Sequence, residues 1–238
     1  IDTFDFLRKT DPTRYMCFLS SDDMEAAMAS PEPIARLHNG TVMTERLAGS
    51  YPRGKTPQED RAQAEALRTD AKAIDEHNML VDDSRNEFGY VSKIGTVDVK
   101  GYLNVVRCSR VMHLGSTITG ELKEGMNALD VINTITPSGA VSGAPKIRSC
   151  EVINEIEQER RGIYGSAVGY IGLDGDADFF VFIHSAFLKN GELTVRAGGG
   201  IVIDSVPEEE YKECLFKAEA MLNAIQLASD EKQNDSLN

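Results

Sequence analysis

The sequence predicts an α+β fold in which helices flank a large, mostly antiparallel sheet. Two patterns support this prediction. Short apolar runs between turn residues, which are typical of strands, fill the first fifty residues, residues 88 to 119 and the region after Gly165. Apolar residues at three- and four-residue spacing, which are typical of amphipathic helices, occupy the stretches between these regions and the end of the chain. The irregular alternation of the two patterns, without an internal repeat, indicates the α+β class.

The first half of the chain is expected to contain a hairpin and one long helix. The runs YMCFL, IARLH and TVMTERLAG predict strands, and Asn39-Gly40 between the last two is a strong hairpin signal. From Gln58 to about Asn86 we expect a single amphipathic helix, because apolar residues recur there at helical steps: Ala64, Leu67, Ala71, Ile74 and Val81. Strand-like sequence then returns over residues 88 to 119, as GYVSKIGTVDV and YLNVVRCSRVMHLGSTITG.

The second half is expected to begin with two short helices. The segment NALDVINTI predicts a helix that is stopped by Pro137. The loop PSGAVSGAPK, rich in small residues, then leads into a helix whose predicted apolar face is Ile147, Cys150, Ile153 and Ile156. Three strand candidates follow, SAVGYIGL, FFVFIHSAFL and ELTVRA, with Gly-Asp and Asn-Gly turns between them.

The last element has the clearest start signal. Ser205 is followed three residues later by Glu208, and Pro207 lies in the first turn, which together predict a helix N-terminus. The predicted buried stripe of this helix is Tyr211, Leu215, Ala218, Leu222 and Ile225. We expect residues 1–227 to form one domain, or two closely packed halves, and residues 228–238 to form a polar tail.

The composition excludes several classes of protein. The 238 residues include 25 Lys and Arg against 38 Asp and Glu, a net charge of −13, so nucleic acid is not an expected partner. No apolar run approaches the roughly 18 residues of a membrane helix, and we expect a cytoplasmic protein. The 4 cysteines are far apart, which excludes a C-x-x-C metal or redox motif and predicts that they fill apolar space.

Three charged residues of the terminal helix, Glu210, Glu213 and Lys217, lie at i, i+3 and i+7 and therefore project from one stripe. One interpretation is a solvated face with a Glu213–Lys217 ion pair. The other is a site for a hard cation beside an anion-binding lysine, because Mg²⁺ prefers carboxylate oxygens and takes further oxygens from its substrate. Such a site needs a carboxylate from elsewhere, and Glu76 on the first long helix is the candidate.

Three further features could carry chemistry. Residues 198–200, GGG, directly follow a strand, where backbone without side chains can approach a ligand; a structural bulge is the alternative. Residues 142–146, SGAPK, resemble a helix N-terminus that could receive a carboxylate or a phosphate, but they lack the P-loop spacing. His113 lies among apolar strand residues and is either a hydrogen-bonded core residue or, facing a cleft, a proton donor.

Six segments occur in the order and spacing of the chorismate-binding enzymes: LAGSYPRGKTPQED, DEHNMLVDDSRNEFGYV, SRVMHLGSTITGEL, PSGAVSGAPKIRSCEVINEIE, RRGIYGSAVGYIGLDG and AGGGIVIDSVPEEEYKECLFKAEAML. Over residues 5 to 227 the chain resembles this family, and within it anthranilate synthase component I most closely. The resemblance implies the chorismate-binding type of α+β fold and a Mg²⁺-dependent lyase of tryptophan biosynthesis. Anthranilate synthases add ammonia at C2 of chorismate, lose the C4 hydroxyl and eliminate pyruvate.

The resemblance also implies roles for individual residues. Glu76 and Glu213 match metal-binding and catalytic glutamates, with Glu210 as a further acid of the metal site. His113 matches the histidine that assists departure of the C4 hydroxyl. The positions implied to contact the substrate are Ser50, Ala140, Tyr164, His184, Gly198, Gly200 and Lys217.

The chain departs from the family pattern at several positions. His184 replaces an arginine that binds a substrate carboxylate, and imidazole lacks the permanently charged fork of a guanidinium group. Ala140 replaces a threonine, and Ala73 replaces a glutamate that supports the metal site. These changes predict reduced or absent activity. Ala48 stands where aminodeoxychorismate synthases have a nucleophilic lysine, which favours direct amination.

The resemblance implies a glutamine amidotransferase subunit that supplies ammonia, and therefore a hetero-oligomer. It also implies that the catalytic domain, residues 1–227, is incomplete at its N-terminus. Two alternatives stay open. One is a non-catalytic homologue that binds a chorismate-like ligand or a partner, and the other is a synthase of isochorismate, salicylate or aminodeoxyisochorismate.

Overall fold

A computed structural model describes residues 1–108 and 111–236, with side chains described through residue 232. Ser109 and Arg110, in the predicted strand segment before His113, and the last two residues of the predicted tail lie outside the described residues. The elements in chain order are α1 (Asp2–Thr10), β1 (Tyr15–Ser20), β2 (Met24–Ser30), β3 (Pro33–His38), β4 (Thr41–Pro52), α2 (Pro57–Thr69), α3 (Ala71–Val91), β5 (Asp98–Arg107), β6 (Val111–Glu121), α4 (Ala128–Ile135), α5 (Gly139–Ser142), α6 (Lys146–Glu157), β7 (Ala167–Ile171), β8 (Ala177–Val181), β9 (Ser185–Lys189), β10 (Glu192–Arg196) and α7 (Pro207–Ser236).

The chain divides into two compact units. The terminal unit comprises Ile1–Pro31, Arg161–Gly165 and Phe182–Asn238, and the central unit comprises Glu32–Arg160 and Ser166–Val181. The expectation that residues 1–227 act together as one domain stays a prediction.

The terminal unit is built on a sheet with the described strand order β1-β2-β9-β10. Neighbouring strands pair antiparallel throughout. Helix α1 packs against α7, and α7 also contacts β9 and β10. The core between these elements consists of Leu7, Ala27, Ala29, Ala186, Met221 and Ala224.

The central unit is built on a larger sheet with the described strand order β5-β6-β4-β3-β8-β7. All of its neighbouring strands pair antiparallel as well, so the predicted fold class is confirmed. Helix α3 packs on β4 and β6. Beside it, a cluster of buried apolar side chains joins helices α2 and α3 to β6: Ala64, Leu67, Ala73, Met112 and Leu114.

Local signals predicted several elements correctly. Asn39 and Gly40 connect β3 to β4 with φ values of +48° and +72°, the left-handed pair that suits a two-residue hairpin turn. Helix α4 begins with a capping box at Asn127 and ends at Ile135, shortly before Pro137. These elements follow from residues within a few positions of each other.

The long helix expected over residues 58 to 86 is two helices, which is a correction. Asp70, with ψ of 107°, ends α2 and caps α3, its side chain accepting a hydrogen bond from Ala73 N–H at 3.2 Å. The hydroxyl of Tyr51 donates to the same carboxylate at 2.9 Å, which fixes the break. Helix α3 then continues to Val91, through residues expected to be strand.

The predicted strand FFVFIHSAFL is also divided. Strand β8 ends at Val181 and β9 begins at Ser185, and the two belong to different sheets. His184 lies between them with a φ of +46°, a left-handed conformation that cannot continue a strand. Helix α1 at the start of the chain was not predicted, although its buried Leu7 belongs to the terminal core.

The buried stripe predicted for α7 is wrong. Tyr211 and Leu222 are 65% and 49% exposed, whereas Met221 is 1% exposed and Ala224 is fully buried. The predicted stripe is therefore rotated by about 100° from the observed one, the angle between consecutive helix residues. Helix α7 also continues to Ser236, over most of the segment expected to be a polar tail.

Helix α6 also differs from its prediction, because no residue of it is buried. Ile147 and Ile156 of its predicted apolar face are each 74% exposed.

The cysteines Cys17, Cys108, Cys150 and Cys214 are all half-buried free thiols. Over the described part of the chain, no helix is long and apolar enough to cross a membrane.

Candidate functional site

The residues predicted to form the site belong to both units. The terminal unit contains Tyr164, His184, Gly198, Gly200, Glu210, Glu213 and Lys217, and the central unit contains Ser50, Glu76, His113 and Ala140. In the terminal unit, Glu210, Glu213, Lys217 and Tyr164 lie beside the glycine segment, and in the central unit Ser50 lies beside His113.

Two carboxylates of α7 face the glycine segment. Glu210 is 5% exposed and Glu213 is half-buried, although both lie near the start of a helix rich in charged residues. A Cβ built on Gly199 would lie 3.8 Å from Glu210 Oε2 and 3.9 Å from Glu213 Oε1. The helix dipole favours an acidic side chain in the first turn, where Glu210 lies, and Glu213 follows one turn later on the same face. The two carboxylates therefore line the backbone of Gly199.

Lys217 connects the same helix face to the glycine segment. Its Nζ lies 2.6 Å from Glu213 Oε1 and donates a hydrogen bond to Gly198 O at 3.3 Å. The ion pair predicted from the i, i+4 spacing is thus present. The ammonium therefore bridges Gly198 and Glu213.

Tyr164 approaches the glycine segment from another part of the terminal unit. A Cβ built on Gly198 would lie 3.1 Å from the Tyr164 hydroxyl, closer than most side chains tolerate. A side chain at position 198 would require the Tyr164 hydroxyl to shift by a few tenths of an ångström. Gly200 is exposed to solvent in this unit.

The carboxylate pair on α7 fits a magnesium ion that takes its other ligands from elsewhere. Among the residues that the structure describes, no group of three or more His, Cys, Asp or Glu side chains could hold a metal ion by itself. Mg²⁺ is commonly bound by one or two carboxylates together with water or substrate oxygens. Glu210 and Glu213 offer that donor set beside Gly199.

In the central unit, the ring of His113 in β6 contacts two residues of the neighbouring strand β4. Its Nδ1 lies 2.7 Å from Gly49 O and 3.4 Å from Ser50 Oγ. A carbonyl oxygen only accepts, so Nδ1 carries a proton, and in the neutral ring Nε2 is then the basic nitrogen. His113 is therefore oriented by backbone, and Ser50 lies beside it.

Ala73 is a core residue, which changes how its departure from the family pattern is understood. It is 3% exposed and packs among the apolar side chains between α2, α3 and β6. A Cβ built on Gly49 would lie 2.8 Å from the Ala73 Cβ. A larger residue at 73 would press on the backbone that holds His113. Glu76 lies one turn later on α3 and is half-buried.

The other two predicted substrate positions lie in irregular backbone. Ala140 is half-buried within the single turn of α5. His184 accepts a hydrogen bond at its carbonyl oxygen from Ala29 N–H at 3.3 Å, which ties its left-handed backbone to β2.

Sequence reasoning missed a buried charge network in the central unit. Arg46 of β4 is 1% exposed; its Nε donates to Ser84 Oγ at 2.5 Å, and its guanidinium lies 3.2 Å from Glu32 Oε1. Glu87 of α3 lies between Arg46 and Lys146. Burial raises the pKa of the Glu87 carboxyl, and the two cations oppose this shift. A signal was present, since Arg46 occupies an inward position of the alternating strand β4.

The Lys146 ammonium contacts Glu87 and the carbonyls of Thr134 and Ile135, so this ammonium is not available to an anion. The expected anion site at the helix N-terminus of residues 142–146 stays a prediction. His77 was also missed: its Nε2 lies 2.7 Å from Ser116 Oγ, and burial lowers its pKa to about 4. His77 is therefore neutral near neutral pH.

Comparison with known proteins identifies the class of enzyme to which this fold and these residues belong. The family model for chorismate binding enzymes matches residues 1–223, and the chain belongs to this family. Anthranilate synthase component 1 of Pseudomonas aeruginosa is 46% identical over 228 residues, which are 96% of this chain and 46% of that protein. The predicted resemblance to the family and to anthranilate synthase component I is thereby confirmed.

Solved structures agree with this assignment. Anthranilate synthase component I from Streptococcus pneumoniae superposes with a TM-score of 0.84 at 40% identity, covering 92% of this chain and 49% of that one. The menaquinone-specific isochorismate synthase of Escherichia coli gives 0.85 at 25% identity, covering 94% and 51%. The chain thus spans about half the length of these relatives. The roles of individual residues stay predictions.

Proposed function

We propose that this chain forms the chorismate-binding part of an anthranilate synthase component I, which converts chorismate and ammonia to anthranilate and pyruvate. The observation that carries the proposal is the face of α7 on which Glu210, Glu213 and Lys217 surround the backbone of Gly198 and Gly199. Identities of 46% and 44% to anthranilate synthases of two bacteria favour this reaction within the family.

Chorismate carries two carboxylates, and this chain has a net charge of −13. Local positive charge is therefore needed to bind the substrate. Glu210 and Glu213 would hold Mg²⁺, and the metal-ligand role of Glu76 stays a prediction from the resemblance. Bound Mg²⁺ would supply a positive charge that offsets the substrate's carboxylate charge. Lys217 adds an ammonium, which already contacts Gly198 and Glu213.

The glycine segment would receive the ring carboxylate of chorismate. Backbone at Gly198 and Gly200 lets an anion approach N–H groups without a Cβ in the way. The hydroxyl of Tyr164 lies close enough to Gly198 to donate to the same carboxylate. Gly198 would therefore take part in binding the substrate, in addition to leaving room for the Tyr164 hydroxyl.

His113 would assist departure of the C4 hydroxyl. Its Nδ1–H bond to Gly49 O orients the ring, so that a proton at Nε2 would be donated to the leaving oxygen. Ser50 lies beside the ring as a proposed substrate contact. Ala48 provides no nucleophile, so ammonia would add to chorismate directly.

Two residues weaken the proposed substrate site. His184 has an imidazole in place of a guanidinium fork, and Ala140 has no hydroxyl. We therefore expect a high KM for chorismate. Ammonia would come from a glutamine amidotransferase subunit in a hetero-oligomer, and a cytoplasmic location stays a prediction from the sequence.

A second candidate is an isochorismate synthase. It is favoured by one observation, the TM-score of 0.85 with the isochorismate synthase of Escherichia coli. The lower identity of 25% makes it the weaker of the two. The two candidates differ in whether nitrogen is incorporated and pyruvate is released.

The test is a fluorescence assay for anthranilate with chorismate, ammonium and Mg²⁺. We expect turnover that requires Mg²⁺ and that falls by more than about 100-fold in Glu213→Gln, since this variant removes a metal ligand. Glu209→Gln is the matched control, because Glu209 is exposed on the same helix and pairs with Lys212. Equal activity of the two variants, or no turnover and no chorismate-induced thermal shift of the folded chain, would contradict the proposal.

A further inference from the structure

The ammonium of Lys146 joins the two ends of the loop between α4 and α6, residues 136–145. Lys146 is the first residue of α6, and its Nζ donates to the carbonyls of Thr134 at 3.4 Å and Ile135 at 2.9 Å. These carbonyls belong to the last turn of α4, where helix carbonyls lack partners within the helix. One side chain therefore closes the loop at both ends.

Helix α3 contacts the same loop at two points. Glu87 binds the Lys146 ammonium. One turn earlier, the carboxylate of Asp83 packs against Gly139, since a Cβ built there would lie 2.4 Å from Asp83 Oδ2. The loop is thus held against α3 both at its C-terminal end and at its central turn.

The loop is also folded tightly on itself. The amide of Ser142 donates to Ser138 O at 3.0 Å, and the amide of Gly143 donates to Gly139 O at 2.8 Å. The hydroxyl of Ser142 donates to Ser138 O at 2.9 Å. These amides can report opening of the loop by hydrogen exchange.

The charge of Lys146 is balanced within the buried network. Glu87 faces Lys146 with one oxygen, and its other oxygen lies 3.8 Å from Arg46, which in turn pairs with Glu32. Loss of the ammonium would leave Glu87 with the more distant Arg46 as its neighbouring cation. Loss of both the Lys146 and the Glu87 charges would remove one charge of each sign, with Arg46 still beside Glu32 and near Asp83.

Both elements that Lys146 joins carry residues of the proposed site. The loop contains Ala140, and α3 contains Glu76 eleven residues before Glu87, about three turns away on the same side of the helix. We propose that Lys146 is a positioning residue that fixes the loop 136–145, and with it position 140, on the helix that carries Glu76. The link to chorismate rests on the proposed function.

Two variants distinguish a positioning role of Lys146 from a general effect on the stability of the fold. They are the single variant Lys146→Met and the double variant Glu87→Gln/Lys146→Met. The single variant leaves Glu87 poorly compensated and is expected to lower the Tm. The double variant removes both charges and recovers the Tm, while the carbonyls of Thr134 and Ile135 remain without their donor. Lys123→Met is the matched control, because Lys123 donates to carbonyls at the end of α3 in the same unit.

The first measurement is hydrogen exchange of the loop, which needs no substrate. In the double variant we expect the amides of Ser142 and Gly143 to exchange more than tenfold faster than in the parent, with β4 and β6 unchanged. Lys123→Met should leave the loop amides as they are. Parent-like exchange of the loop in the double variant would overturn the proposal, whatever the activity.

The second measurement is the steady-state kinetics of the same proteins with chorismate. The double variant is expected to raise KM more than tenfold with kcat within threefold of the parent, because uniform binding is lost. A faster-exchanging loop with an unchanged KM would overturn the link between Lys146 and the substrate. A parent that neither binds nor turns over chorismate contradicts the proposed function, and loop exchange then still decides the role of Lys146.

Discussion

Met221 and Leu222 provide a direct test of how α7 is oriented. The two residues are neighbours, yet Met221 is 1% exposed and Leu222 is 49% exposed. Consecutive helix residues point about 100° apart, so only one of them can face the core fully. We predict that Met221→Ala destabilises the chain much more than Leu222→Ala.

The magnitude follows from what surrounds each side chain. Met221 belongs to a buried cluster whose other members are Leu7 and four alanines, and the short alanine side chains cannot extend into the space left by its truncation. We therefore expect a loss of about 3 to 5 kcal/mol, the upper part of the range for buried large-to-small changes. Leu222 loses about half of a full burial contribution, roughly 1 kcal/mol. For a chain of this size these values correspond to Tm shifts of about 6–20 °C and 2–4 °C.

The assay is urea and thermal unfolding followed by far-ultraviolet circular dichroism, with both variants compared with the parent in one buffer. A larger loss in Leu222→Ala than in Met221→Ala would mean that α7 is rotated about its axis. Glu210 and Glu213 would then not face Gly199, and the proposed metal site would lose its structural basis.

Three further predictions concern the central unit. Arg46→Met should cost about 3 to 5 kcal/mol in urea unfolding, because it removes the buried cation beside Glu32 and Glu87, whereas the exposed ion-pair variant Arg85→Met should cost less than about 1 kcal/mol. The pKa of His77 is about 4 in the folded chain against 6.5 in the unfolded chain, so protons bind preferentially to the unfolded chain. The free energy of unfolding should therefore fall by about 2 kcal/mol from pH 7 to pH 5. His77→Gln should reduce this dependence of stability on pH. Gly49 has a φ of +65°, and a Cβ built there would lie 2.8 Å from the core residue Ala73. Gly49→Ala should therefore cost about 2 to 4 kcal/mol by thermal unfolding and lower activity, whereas Gly40→Ala, which has open space, should cost about 1 kcal/mol. Equal losses would contradict the packing described for Gly49.

Much of the fold could be predicted because its signals are local. The Asn39-Gly40 turn sets the β3–β4 hairpin through backbone geometry alone. The orientation of α7 could not be predicted in this way, because apolar residues lie on several sides of the helix. Only the packing of α1 and the terminal sheet selects Met221 and Ala224 as the buried stripe. Tertiary packing thus decided what periodicity left ambiguous.

The same contrast applies to the candidate site. The spacing of Glu210, Glu213 and Lys217 predicted a shared helix face, and the structure places all three beside the glycine segment. The network of Arg46, Glu87 and Lys146 could not be predicted, since these residues are 41 and 59 positions apart in sequence. No local rule pairs such distant residues.

The most direct test of the proposed function is mass spectrometry of the products formed by this chain from chorismate, ammonium and Mg²⁺. The account predicts anthranilate and pyruvate in equal amounts, with ¹⁵N-labelled ammonium giving labelled anthranilate. Isochorismate or salicylate without incorporated nitrogen, or intact chorismate after incubation with folded protein, would contradict it.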